Sequence, residues 1–342
     1  MMLETERETV APVSESPSLK HVGQRWWLLV LLFLAMVIAY AHRGAISVAA
    51  PFMSQDLKLN KADIGILLSA FFWVYAFMQV VSGWVVDRFG VRRAYSVGFI
   101  FWSLASTLTG VAGGLATLIG LRVALGAGQS IAFPASARAV ANWFQERERG
   151  TVTGIYLAGV RLGTALINAL GAFFIVRYDW KLFFILTGMV SLMWVLPWTR
   201  FLRKWEQGPR GSENPSPESR VPSPERQAPS FFKSLMLLKQ RSVFGIFLGF
   251  FAYDYVWFLF LTWLPTYLKE ERRFTSSEMG IYSSVPFLPM LVVILLSGML
   301  SDWLVKRGHE ERKTRKIFII IGLAIACLIV PAGMVADNMT AV

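Results

Sequence analysis

The sequence predicts an all-α membrane protein built from two related helical bundles. Three observations carry that prediction. The 342-residue chain is 55% hydrophobic and only 16% charged, with a mean hydropathy of +0.50. Soluble domains of this size carry more charge and shorter apolar runs. A short basic connector between two apolar runs then occurs twice: Gly83-Trp84-Val85-Val86-Asp87-Arg88-Phe89-Gly90-Val91-Arg92-Arg93, and a degenerate copy 215 residues later, Gly298-Met299-Leu300-Ser301-Asp302-Trp303-Leu304-Val305-Lys306-Arg307-Gly308. Finally, a proline- and serine-rich linker separates the two copies.

The apolar runs fix the elements. A bilayer core of ~30 Å needs ~20 apolar residues in a helix, and a helix satisfies its own backbone polar groups. Nine spans are predicted, at 26–52, 64–86, 94–112, 116–139, 150–176, 181–200, 242–268, 279–301 and 317–337. The runs 64–86, 279–301 and 317–336 carry no charge at all. Gly110, Gly113 and Gly114 mark the turn between the third and fourth spans.

Around the spans, residues 1–25 are polar, contain Pro12 and Pro17, and read as a cytoplasmic tail rather than a cleavable signal. Trp26 and Trp27 are expected at the membrane interface. Residues 26–200 form a six-helix bundle, 201–241 a cytoplasmic linker and 242–342 an incomplete second bundle of three helices. Within the linker, six prolines and five serines between 205 and 230 prevent a packed core. Asp87 follows the second span of the first bundle and Asp302 the second span of the second, the register of a parallel repeat. About nine of twelve helices are therefore expected, the chain being a C-terminally truncated form; a nine-span protein is the alternative.

Charge sets the orientation. With the N-terminus inside, cytoplasmic segments hold 24 of the 34 Lys and Arg residues, as the positive-inside rule requires. The net charge of +12 therefore reflects alternate connectors, and nucleic acid is not an expected partner. Cys327 stands alone and His21, His42 and His309 are far apart, so no disulfide or metal site is expected. There is no phosphate-binding Gly-x-x-x-x-Gly-Lys-Ser/Thr loop and no Gly-x-Ser-x-Gly elbow. Neither an enzyme nor a cofactor is predicted.

The connector at Gly83, Asp87, Arg88, Gly90, Arg92 and Arg93 closely resembles the signature loop of the major facilitator superfamily. Gly83 would allow close helix approach, Asp87 would cap a helix or pair with an arginine, and the arginines would hold anionic headgroups. Further segments resemble the anion:cation symporter family within it: Ala41-His42-Arg43-Gly44-Ala45-Ile46-Ser47-Val48-Ala49-Ala50-Pro51, Arg122-x-x-x-Gly126-x-Gly128-Gln129-x-x-x-Phe133-Pro134, Trp143-Phe144 with Glu148-Arg149-Gly150, and Thr262-Trp263-Leu264-Pro265-Thr266-Tyr267-Leu268. The resemblance implies a bacterial inner-membrane carrier of organic anions such as sugar acids, acting as a monomer by alternating access. Protons or another ion would drive it.

It also implies site residues. Arg43 would hold a substrate carboxylate, for which its planar fork is suited; a structural arginine paired with another helix is the alternative. Arg122 matches an arginine that supports gating. Arg161, in Gly159-x-Arg161-x-Gly163 on a small-residue face, is either a second anion contact or part of a buried ion pair. Tyr40, Tyr75 and Gln79 are candidate hydroxyl contacts, Tyr75 and Gln79 one turn apart on one face, and Gln129 is a further candidate substrate contact. The family's coupling acids are replaced here by His42 and Gln129. His42 can carry a proton and Gln129 cannot. Asp254, where related sequences tend to have asparagine, is then the other coupling candidate, expected to pair with Arg43 or Arg161. Two competing readings remain: a neutral sugar or drug carrier with Arg43 structural, and a non-transporting remnant or sensor.

Overall fold

The computed structural model describes residues 19–144, 146–206 and 240–327. The predicted tail as far as residue 18, most of the linker and the C-terminal part of the last span lie outside the described residues. The described chain is helical throughout: α1 (Leu19–Asp56), α2 (Lys61–Phe89), α3 (Val91–Thr109), α4 (Leu115–Gln129), α5 (Ala132–Trp143), α6 (Glu146–Arg177), α7 (Trp180–Leu192), α8 (Val195–Glu206), α9 (Arg241–Glu270), α10 (Ser276–Ser284), α11 (Phe287–Lys306) and α12 (Glu311–Ala326). Six stretches are long and apolar enough to cross a membrane among the described residues: Arg25–Asp56, Lys61–Phe89, Leu115–Trp143, Glu148–Arg177, Trp180–Arg203 and Arg241–Glu270. The other three predicted spans coincide with α3, with α10 and α11 together, and with α12. α1 begins inside the predicted tail, and α8 is described as far as Glu206.

Prolines account for the extra helix ends. The spans at α4–α5, α7–α8 and α10–α11 each break over two residues, beginning at Ser130, Met193 and Val285, the third break containing Pro286. Pro134, Pro197 and Pro289 stand four residues further on in each case. A proline has no N–H to give the carbonyl four residues back, and its ring crowds that carbonyl. Pro51 and Pro265, by contrast, lie inside unbroken α1 and α9.

The duplication reaches further than the connector. At the start of α2, the Asp63 N–H donates to Asn60 Oδ1 at 2.9 Å and the Asn60 N–H donates to Asp63 Oδ2 at 3.0 Å. This reciprocal cap recurs 215 residues later at α10, between Thr275 and Glu278. Both connectors turn on a glycine with positive φ, Gly90 at 79° and Gly308 at 93°, a region open to glycine at no steric cost. The second turn comes three residues later than the 215-residue offset places it.

The first half is tightly packed. α1 lies along α6, and α3 sits between α4 and α7. Gly159 and Gly163 make the α1–α6 approach possible: a Cβ at Gly163 would overlap the backbone of Val37. Behind them, Phe99 stacks on Trp194 at 4.2 Å and Trp194 on Trp198 at 4.9 Å. Trp194 Nε1 donates to the Leu31 carbonyl at 2.9 Å, satisfying its polar edge as a buried indole requires. By contrast, Gly83 has no heavy atom within 4 Å of where its Cβ would stand. The close approach expected there occurs at Gly126, against the backbone of Phe71.

The second half meets the first through α1–α9 and α6–α10. Lys61 pairs with Glu271 at 3.0 Å and Glu270 at 3.7 Å, and Asn168 Nδ2 donates to the Ser283 carbonyl at 2.9 Å. The Lys61 pairs lie at the end that carries the α1–α2 turn, and the Asn168 bond lies near Gly44, within α1. Replacing Gly163 by alanine is expected to lower unfolding stability by about 1–3 kcal/mol through overpacking, measured by thermal unfolding in detergent. Gly154→Ala, where no atom lies within 4 Å, is expected to be neutral or slightly stabilising.

Candidate anion site between the two halves

Arg43 projects from the middle of α1 and is 3% exposed. Its Nε donates to Gln129 Oε1 at 2.9 Å, and Gln129 Nε2 donates to the Ala39 carbonyl at 3.0 Å. One amide thus bridges α4 to both the side chain and the backbone of α1. Three rings surround the guanidinium, with centroids 4.5 Å (Tyr40), 4.9 Å (Phe71) and 4.2 Å (Tyr75) from Cζ, where the ring quadrupole favours a cation. Phe71 and Tyr75 stack at 5.3 Å one turn apart on α2. Arg43 Nη2 remains buried without a partner.

Arg122, from α4, is 4% exposed and lies 5.1 Å from the same Phe71 ring. Its Nε is also buried and unpartnered. Phe71 therefore serves two arginines, a role the sequence reading did not assign. The signal was present: Phe71, Tyr75 and Gln79 follow at i, i+4 and i+8 on one face of α2.

Arg161 differs from expectation. Gly159 and Gly163 face α1, and a residue two positions from each lies about 200° around the helix, so Arg161 points away from the small-residue face. Its Cζ sits 3.4 Å from the Trp257 ring centroid of α9, and Nη2 donates to the Tyr253 hydroxyl. Nη1 is buried without a partner. Arg161 thereby joins the two halves at mid-helix. Asp254, beside Tyr253, is half-buried and takes part in none of the described ion pairs. The expected pairing with Arg43 or Arg161 is not formed, because Gln129 and the rings occupy Arg43 while Trp257 and Tyr253 occupy Arg161.

His42 leaves this group. It is buried, and its Nε2 lies 3.3 Å from the Thr187 carbonyl of α7, so one residue step from Arg43 turns it toward the bundle interior. Gln79 is half-buried on the Tyr75 face. In the signature loop, Asp87 pairs with Arg138 of α5 at 3.7 Å, while Arg88 and Arg93 are exposed and the Arg92 carbonyl accepts from Ser96 at 2.7 Å. Asp302 falls on α11, its side chain outside what is described. A cavity of about 980 Å³ opens elsewhere, between Lys61, Trp263, Glu270 and Tyr282. It touches none of the three buried arginines.

Residues 32–342 match the family model of the Major Facilitator Superfamily. The chain belongs to that superfamily. It is therefore a multi-pass integral membrane protein. Among curated relatives, it is 34% identical to the D-galactonate transporter of Escherichia coli O6:H1, over 92% of this chain and 76% of that one. It is 31% identical to the hexuronate transporter of Bacillus subtilis, over 92% and 74%, and 29% identical to the probable galactarate/D-glucarate transporter of Escherichia coli K12, over 91% and 74%. In solved structures, its fold matches a bacterial homologue of the human lysosomal transporter Spinster with a TM-score of 0.66 at 20% identity, over 83% of this chain and 63% of that one.

In this superfamily member the Gln129 bridge holds a buried guanidinium in place. Gln129→Leu removes its polar contacts at similar volume and strands Arg43 Nε. The expected loss is about 1–3 kcal/mol, measured as a lowered unfolding midpoint with helix content retained.

Proposed function

We propose that the chain is a secondary carrier of organic anions of the sugar-acid kind, working by alternating access. The observation that carries this reading is Arg43: a buried guanidinium at mid-helix, fixed on one edge by Gln129 and three rings, with a donor left over. A charge at that depth is costly unless it meets a partner or water, and a carboxylate fits the free edge of the fork. The names of the curated relatives support the same substrate class. Tyr40, Tyr75 and Gln79 line the approach to Arg43 with groups able to bind hydroxyls. Arg122, behind Phe71, keeps the local potential positive.

The moving bodies are residues 26–200 and 242–342, with the 201–241 linker and both connectors on the cytoplasmic side, together with the N-terminus. The α1–α2 turn then faces outward. The pairs of Lys61 with Glu271 and Glu270 join the halves on that side, which supports a conformation held together there. Gly83, Gly90, Asp87, Arg88, Arg92, Arg93 and Asp302 form the gating connectors, the Asp87–Arg138 pair being part of the first. The carrier is a monomer in the bacterial inner membrane and no enzymatic activity is assigned to it.

Arg43's own contacts give a competing reading, a neutral-sugar carrier in which the arginine only ties helices together. Thermal-shift measurements on the purified chain separate the two. Galactonate and related acids are expected to raise the unfolding midpoint while galactose does not, and Arg43→Gln is expected to abolish the shift. Stabilisation by galactose alone would leave Arg43 structural. Because Gln129 cannot titrate, ion coupling falls to Asp254 rather than to His42, which faces α7. Asp254→Asn is expected to remove the pH dependence of acid binding, and an unchanged pH profile would exclude that role.

A further inference from the structure

Charge balance at the same site points to a narrower substrate class. Arg43, Arg122 and Arg161 are each at least nine-tenths buried. Each keeps a buried nitrogen without a partner: Nη2, Nε and Nη1 respectively. Among the described residues, the acid set against these three positive charges is Asp254, next to the Arg161 partner Tyr253, half-buried and outside every described ion pair. A monocarboxylate therefore leaves positive charge uncompensated in a medium where each buried ion costs several kcal/mol. A dianion neutralises the excess.

The geometry separates two seats. Arg43 and Arg161 belong to different helices, α1 and α6, which pack along one another, and the Tyr40 ring stands 4.5 Å from Arg43. Arg122 stands behind the Phe71 ring and is not a third seat. Trp257 and Tyr253 fix the Arg161 fork and leave Nη1 over. We propose that the site takes a dicarboxylate, one carboxylate at Arg43 and the second at Arg161 Nη1. This rests on the anion-carrier reading above and adds a specificity-determining residue to it. It also gives the substrate a mechanical role. The second carboxylate lands on the side chain that joins α6 to α9, so a diacid touches the contact between the halves where a monoacid at Arg43 does not.

Galactarate and galactonate test this, since they share a carbon skeleton and differ by one carboxylate. Binding is measured by titration calorimetry on the full chain in lipid nanodiscs. Galactarate is expected to bind at least about tenfold tighter than galactonate, the order of one charge-assisted contact. Arg161→Gln is expected to weaken galactarate by at least about tenfold and galactonate by no more than about twofold. Arg161→Lys, which keeps the charge and guards against a packing defect, is expected to retain a preference for galactarate. Equal affinities in the unaltered chain, or equal weakening of both acids by Arg161→Gln, would overturn the second seat while leaving the anion reading intact. Binding of neither acid, with galactose still bound, would instead overturn the anion reading and this proposal with it.

Discussion

A guanidinium group held inside an apolar bundle is the constraint around which the rest is arranged. Arg43 cannot be solvated where it stands, so its donors must be met by the protein or by a ligand. Gln129 meets one of them and at the same time caps the Ala39 carbonyl. That double contact requires α4 to lie close to α1 and α2. Gly126, three residues earlier on the same helix, permits it by letting the Phe71 backbone approach where a Cβ would collide. Phe71 is carried into the gap between Arg43 and Arg122 as a result. The helix packing and the arginine box are one solution, not two.

The helices that surround this box are shaped by where carbonyls lose their donors. Three spans break one proline-spacing before Pro134, Pro197 and Pro289, and the break at Ser130 follows Gln129 directly. The bridging amide therefore sits at the last regular turn of α4, where backbone adjustment is easiest. Elsewhere apolar side chains point outward in bulk, among them Trp73, Phe77, Phe173 and Phe250, each more than half exposed. In water such surfaces would drive aggregation. Around a membrane bundle they are the lipid contact, and specificity is left to the few buried polar groups.

Much of this was legible in the chain, and the reasons differ by feature. Span positions follow from run length, and the connectors from their repeat. The same repeat also holds the helix caps at Asn60–Asp63 and Thr275–Glu278, which a search at the 215-residue offset would have found. Arg43 stood out because a lone charge in an apolar run demands an explanation. Side-chain direction was not legible. His42 follows from sequence adjacency to Arg43, yet a 100° step turns it to Thr187 on α7. Arg161 was assigned to the glycine face by proximity, when two residues place it on the opposite side. Asp254 has opposite charges nearby but no ion pair, because aromatic faces compete for the same guanidinium groups. Gly83 fits its motif and still contacts nothing at Cβ.

A fixed amide rather than a titratable acid at residue 129 bears on what the proposed site can do. A glutamate there could release or take up a proton and so alter the charge beside Arg43. Gln129 holds that charge constant, and its hydrogen bonds need no rearrangement as conditions change. The cluster must then carry the same positive excess whether empty or loaded, apart from what Asp254 contributes. Guanidinium edges left buried without a partner carry a desolvation penalty. A bound anion lifts that penalty. Coupling between substrate and bundle movement can thus arise from charge compensation alone, with Arg161, Trp257 and Tyr253 as the contact through which the second half senses whether the site is filled.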